Sequence, residues 1–120
     1  PATSSILIFP CMIVPFAHLP GLDDLPAATR SEMMEMAAQA LQVLRILYQP
    51  DGFNLGINMG EAAGAGIASH VHLHVLPRWS GDTNFMSSVA QTRVLPEGLD
   101  ESYSRVRLRW TRLFASSVSG

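Results

Sequence analysis

The sequence predicts an α+β domain in which a long helix and a C-terminal helix accompany an antiparallel sheet. Short apolar or alternating segments, typical of strands, occur in both halves of the chain, and a long segment with helical periodicity separates them. A second segment with helical periodicity lies near the C-terminus. The chain has 120 residues, of which 48% are hydrophobic and 15% charged, so we expect one globular domain over residues 1–120.

The first half of the chain predicts two strands and the long helix. Residues 5–9 and 11–16 are mostly apolar, which favours two short strands. Over residues 26–48 apolar side chains recur at intervals of three and four, so this segment is predicted to be a helix with one apolar stripe. Pro26 suits its first turn, where the missing N–H costs no helical bond. His18, in the intervening loop, is expected to be an ordinary loop residue.

The second half predicts two more strands and the C-terminal helix. Residues 53–58 alternate between large apolar residues and asparagine or glycine, which indicates a half-buried strand. Residues 60–66 are mostly glycine and alanine and form a loop that leads to a histidine-rich strand. A last helix is predicted from residue 99 to about residue 116, with its apolar side formed by Tyr103, Val106, Trp110, Leu113 and Phe114.

Three of the four histidines of the chain stand one residue apart, at His70, His72 and His74. The residues between and after them are apolar, and two of the three are valines, which favour strands. Because side chains alternate between the faces of a strand, the three imidazoles are expected on one face and the apolar side chains on the other. Such a row predicts either a reactive site or a metal site.

Composition excludes several classes of function. The formal net charge is −2, so no strongly basic field would attract a nucleic-acid polymer. All eight basic residues are arginines, which excludes Schiff-base chemistry and a phosphate-binding lysine. Cys11 is the only cysteine, so neither an intrachain disulfide nor a cysteine-rich zinc site can form. The longest apolar run, residues 6–16, is too short to span a bilayer. We therefore expect a cytoplasmic protein without a membrane partner.

The histidine row has two chemical uses. Alternate residues of a strand lie about 6.5–7 Å apart, whereas zinc needs nitrogens at about 2 Å. Two imidazoles such as those of His70 and His72 could share one ion, but a third would be strained. The alternative is nucleophilic catalysis, in which one neutral imidazole attacks phosphorus while its neighbours fix the tautomer and donate protons. A glycine-rich loop before the strand offers backbone N–H groups for the phosphate.

The segment 70–76 has the form His-x-His-x-His-x-x with apolar x, and it resembles the signature of the histidine triad superfamily of nucleotide hydrolases and transferases. The resemblance extends from residue 13 to about residue 110. The flanking segments resemble those of the bacterial branch of dinucleoside polyphosphate (Ap4A) phosphorylases and hydrolases; they are Asn58-Met59-Gly60, residues 64–68, residues 77–85 and residues 91–96.

This resemblance implies a sheet of about five strands, a homodimer formed by joining two sheets, and chemistry that requires no metal or cofactor. Carried over by position, the implied catalytic roles fall on the three histidines. His72 would attack the α-phosphorus to form a nucleotidyl-histidine, His74 would contact the phosphate and the bridging oxygen, and His70 would orient His72. The implied substrate-binding residues are Asn58, Gly66 and Ile67, the last two through their backbone.

The N-terminal part departs from the family pattern. Family members usually carry a Gly-His element ahead of the strand that ends at Pro15, and none occurs here. We interpret this as an atypical or truncated N-terminus. The expected function is an enzyme, a nucleotide hydrolase or nucleotidyltransferase that acts on dinucleoside polyphosphates or nucleoside phosphoramidates. One alternative is a catalytically weak or inactive nucleotide-binding or protein-interaction module of the same fold. Another is a metalloprotein that uses His70 and His72.

Overall fold

Four strands and two long helices form the part of the chain that the structure, a computed structural model, describes: residues 4–8, 12–63, 70–81 and 99–118. All neighbouring strands are antiparallel and two helices accompany the sheet, so the predicted α+β class is confirmed. The elements are β1 (Ser5–Ile8), β2 (Met12–Pro15), α1 (Ala27–Tyr48), β3 (Gly52–Ile57), β4 (Leu73–Arg78) and α2 (Leu99–Val118).

The sheet has the strand order β1-β2-β4-β3, and every neighbouring pair is antiparallel. Strand β4 is therefore an inner strand, with β2 on one side and β3 on the other. His74 pairs with Met12 on β2 and with Gly56 on β3. The described residues contain four strands, one fewer than the roughly five that the family resemblance implies.

Helix α1 matches the predicted segment except at its first residue. Pro26 occupies the N-cap position, one residue before the first turn in which it was expected, and its carbonyl accepts the N–H of Arg30. At the other end Gln49 adopts a left-handed conformation with φ of 47°. Its N–H bonds the carbonyl of Arg45, so the helix ends before Pro50.

The core lies between the sheet and α1. The predicted stripe of α1 is confirmed, because its buried residues include Met33, Ala37, Ala40, Val43 and Leu44. They pack with the apolar residues of β2 and of the segment that contains β4: Ile13, Val71, Leu73 and Val75.

Helix α2 packs against α1 through a narrower stripe than the sequence predicts. Val106 is buried, and Trp110 and Phe114 pack partly buried against the core, with 5.8 Å between their ring centroids. Tyr103 and Leu113 remain 49% and 38% exposed, because they lie at the margins of the stripe that the spacing 106-110-114 defines. No helix among the described residues has the length and apolar character that a membrane crossing requires.

The burial of α1 predicts unequal effects of two neighbouring substitutions. Leu44 is 1% exposed, so Leu44→Ala should leave a cavity and lower the free energy of unfolding by about 2–5 kcal/mol. Ile46 is 44% exposed on the same helix, so Ile46→Ala should change the free energy of unfolding by no more than about 0.5 kcal/mol. Urea denaturation followed by circular dichroism measures both. Equal losses in the two variants would contradict the orientation of α1.

Candidate active site

Burial alternates along the histidine segment as the sequence predicts. Val71, Leu73 and Val75 are buried in the core, whereas the three histidines are half-buried. The imidazoles therefore share the face of the sheet that is turned away from the core. The expectation that all three histidines lie on a strand is wrong, however, because β4 begins at Leu73 and only His74 belongs to it.

The late start of β4 has a physical cause in its neighbour β2. The ladder between them pairs Met12 with His74 and Ile13 with Leu73, and it stops there. Two residues further in the same register, Val71 would face Pro15, which has no N–H to donate. The N–H of Val71 instead bonds the carbonyl of Leu19, at 2.8 Å. Residues 70–72 are thus held by the loop after β2.

His72 has its ring fixed by a main-chain bond. Its Nδ1 lies 3.0 Å from the carbonyl oxygen of His70. A carbonyl oxygen only accepts hydrogen bonds, so Nδ1 carries the proton and donates it. In the neutral ring the lone pair is then on Nε2, the nitrogen that points away from this bond. The arrangement supplies the free nitrogen that a nucleophile needs.

His74 lies beside His72, with 4.9 Å between the ring centroids and 72° between the ring planes. Burial within the sheet, and after it the repulsion of a protonated His72, lower the pKa of His74 below its ordinary value of 6.5. The His74 ring is therefore neutral at pH 7. A neutral ring donates one hydrogen bond without placing a positive charge beside His72.

His70 is turned towards the loop after β2. Its Nε2 donates to the carbonyl oxygen of Pro15, at 3.0 Å, and its ring lies against that of His18, with 4.3 Å between centroids and a tilt of 39°. His18 is an exposed loop residue, as expected. Its contact with His70 was missed, because the two lie far apart in sequence. A signal was present: His18 closely follows the strand that the histidine segment pairs with.

Of the three predicted substrate-binding residues, only Asn58 lies in the part of the chain that the structure describes. Asn58 is half-buried and directly follows β3, whose last pair is Ile57 with Leu73. If the register continued by one step, Asn58 would face His72, and residues opposite each other in a ladder share a face of the sheet. Gly66 and Ile67 lie outside the described residues, so their predicted role stays a prediction.

Metal ligation was the alternative use of the row. Across residues 4–8, 12–63, 70–81 and 99–118, no group of three or more His, Cys, Asp or Glu side chains is arranged to hold a metal ion. The ring nitrogens His70 Nε2 and His72 Nδ1 are both engaged with main-chain carbonyls.

A family model described as HIT domain matches residues 5–81, which contain the sheet, α1 and all three histidines. The chain belongs to the HIT family. The predicted family is therefore confirmed.

Similar HIT proteins include named enzymes. AP-4-A phosphorylase from Mycobacterium tuberculosis is 36% identical over 101 residues, which cover 84% of this chain and 52% of that protein. The asymmetrical bis(5'-nucleosyl)-tetraphosphatase of Schizosaccharomyces pombe is 28% identical over 71 residues, or 59% of this chain and 38% of its own length. The chain spans about half the length of curated relatives that it matches.

A solved structure, a Zn-bound histidine triad family protein from Mycobacterium smegmatis, matches with a TM-score of 0.68 and 28% identity, over 93% of this chain and 80% of that one. Helices and antiparallel sheet therefore agree with a HIT protein across nearly the whole chain.

The lowered pKa of His74 predicts two effects of pH. In an NMR titration His74 should titrate below 6.5. His72→Gln should raise its pKa part of the way, because burial, the larger cause, remains. The unfolded chain binds this proton more tightly, so the free energy of unfolding should decrease as the pH falls from 6.5 through the lower folded-state pKa. The variant His74→Gln should lack this part of the decrease. A pKa of His74 at or above 6.5 would contradict the prediction.

Proposed function

We propose that this HIT protein is a nucleotide hydrolase or nucleotidyltransferase that cleaves dinucleoside polyphosphates, or nucleoside phosphoramidates, through a nucleotidyl group carried on Nε2 of His72. The observation that carries the proposal is the bond from Nδ1 of His72 to the carbonyl of His70. This bond keeps the proton on Nδ1 and leaves Nε2 free to attack. A nitrogen with a free lone pair is what nucleophilic catalysis requires.

The first step forms one bond and breaks one. The lone pair on Nε2 attacks the α-phosphorus, and the phosphorus–oxygen bond to the rest of the polyphosphate breaks. The leaving polyphosphate takes the bonding electrons and a proton from solvent, while the neutral ring of His74 donates a hydrogen bond to it. The cationic ring of the intermediate is stabilised by its Nδ1–H bond to the His70 carbonyl. In the second step water or phosphate attacks the same phosphorus, the phosphorus–nitrogen bond breaks, and a mononucleotide leaves.

Neighbouring side chains complete the site. His74 is neutral at pH 7 because its pKa is lowered, so its ring can donate an N–H to the bridging oxygen without placing a positive charge beside His72. Asn58, which would face His72 if the register of β3 with β4 continued by one step, contributes its amide to the phosphate. His70 orients His72 through its carbonyl. We assign the phosphate cradle to the backbone of Gly66 and Ile67 from the family resemblance.

The relatives support this substrate class. Two of them, described above, are named as a phosphorylase of Ap4A and a tetraphosphatase of bis(5'-nucleosyl) compounds. We therefore place dinucleoside polyphosphates first and phosphoramidates second. We also propose that residues 1–120 form one such domain.

One of the two edges of the described sheet, the open edge of β3, supports a homodimer. Among the described residues β3 pairs with β4 alone, so its other edge presents backbone N–H and C=O groups that no described strand satisfies. Leu55, in the middle of β3, is 41% exposed. We propose that two copies join their sheets along this edge.

Removal of the nucleophile tests the reaction. His72→Ala should lower the release of mononucleotide from Ap4A by about a thousandfold or more, because it removes the nitrogen proposed to attack phosphorus. The wild-type protein, quenched during turnover, should carry a mass equal to one nucleotidyl group on His72. Chromatography of the products and mass spectrometry of the peptide measure the two effects.

The matched control is Gln42→Ala, at an exposed position of α1. It should leave turnover unchanged. Full activity in His72→Ala would remove the proposed nucleophile. Affinity of the wild-type protein for AMP without cleavage of any polyphosphate or phosphoramidate would favour the alternative of a nucleotide-binding module.

A charge on the open edge tests the dimer. Leu55→Lys should raise the dimer Kd by about tenfold or more, because a two-fold contact would bring both copies of the lysine to the joined edge. Leu108→Lys, at a 53% exposed apolar position of α2, is the control and should leave the Kd unchanged. Sedimentation velocity measures both. A wild-type protein that sediments as a monomer at all concentrations would contradict the proposed dimer.

A further inference from the structure

The segment that carries the nucleophile is held by the end of β2 and by the loop that follows it. Residues 70–72 lie outside the strand ladder, and residues 15–19 make three contacts with them. The carbonyl of Pro15 accepts Nε2–H of His70 at 3.0 Å, and the carbonyl of Leu19 accepts the N–H of Val71 at 2.8 Å. The ring of His18 lies 4.3 Å from that of His70. We refer to residues 15–19 as the clamp segment.

These contacts act on the bond that orients His72. The acceptor of Nδ1–H is the main-chain carbonyl of His70, at 3.0 Å. This carbonyl belongs to the same peptide unit as the N–H of Val71, which the clamp segment binds on the other side. A rotation of that unit would move the acceptor away from His72 and let the ring take either tautomer. The direction of Nε2 therefore depends on how firmly residue 70 is held.

His18 is the part of the clamp segment that covers the His70 ring. The two rings are tilted by 39° and in van der Waals contact, and the outer ring, that of His18, is exposed. His70 itself is only half-buried. Without the ring of His18, water would reach the imidazole of His70 and compete for its bond to Pro15, which weakens a hydrogen bond at a partly exposed site.

We propose that His18 is a positioning residue: its ring holds the His70 imidazole against Pro15 and thereby fixes the carbonyl that sets the tautomer and direction of His72. An effect on turnover presupposes the function proposed above, whereas the tautomer of His72 is measurable whatever reaction the protein catalyses. What His18 contributes is the flat face of a ring, so an aromatic side chain without ring nitrogens should serve nearly as well.

Three variants distinguish a positioning role of the His18 ring from a direct role of its nitrogens. His18→Ala removes the ring, His18→Phe keeps an aromatic face, and Phe16→Ala removes a 53% exposed ring from the same segment as a control. Nitrogen-15 NMR of the imidazoles reports the tautomer of each histidine. The wild-type protein, His18→Phe and Phe16→Ala should show His72 protonated on Nδ1. His18→Ala should show a mixture of the two tautomers.

Kinetics give the second readout. His18→Ala should lower kcat by about tenfold to a hundredfold with little change in KM, because a displaced nucleophile costs rate more than binding. His18→Phe should restore kcat to within about threefold of the wild-type value. Thermal melting of each variant confirms that it is folded.

An unchanged His72 tautomer in His18→Ala would overturn the inference. A loss of activity in His18→Phe as large as that in His18→Ala would also overturn it, since it would show that the nitrogens of His18 act directly. If the wild-type protein turns over no nucleotide, the proposed function fails, but a tautomer change confined to His18→Ala would still establish the positioning role.

Discussion

One hydrogen bond, from Nδ1 of His72 to the carbonyl of His70, decides what the histidine row can do. It assigns the proton to one ring nitrogen and leaves the other free, and it requires that the peptide unit between residues 70 and 71 stays in place. That unit lies just before β4, where the ladder with β2 has already ended. Hydrogen bonds to Pro15 and Leu19 therefore hold this peptide unit in place, as hydrogen bonds between strands do within the ladder.

The apolar residues that alternate with the histidines are buried in the core, and this burial fixes the position of the histidine row. Val71, Leu73 and Val75 are 1%, 4% and 0% exposed, and they alternate with the histidines. Burying one such side chain contributes about 1.5–3 kcal/mol. A slip of one residue would bury the imidazoles and expose the valines, so the register is strongly specified. The same packing places His74 between β2 and β3, which is why burial is the first cause of its lowered pKa.

The sequence predicts the elements well where a single physical period dominates. The stripe of α1 and the alternation of residues 70–75 follow from helix and strand geometry, and both are confirmed. The start of β4 could not be read from local pattern, because it depends on Pro15, a residue of another strand that lacks an N–H. The pairing of His18 with His70 is likewise a tertiary contact, set by how the loop after β2 returns over the sheet. Tyr103 and Leu113 fit a helical stripe in sequence, but the partner surface is too narrow to cover them.

The partner of His72 is a peptide oxygen, and this has an electrostatic consequence. A carboxylate could select the same tautomer, but it would place a full negative charge next to the ring and would repel any anionic group that approaches. A peptide dipole orients the imidazole with only a partial charge. It is also present whatever amino acid occupies position 70, so a substitution there removes the imidazole that anchors the residue and leaves the acceptor in the chain.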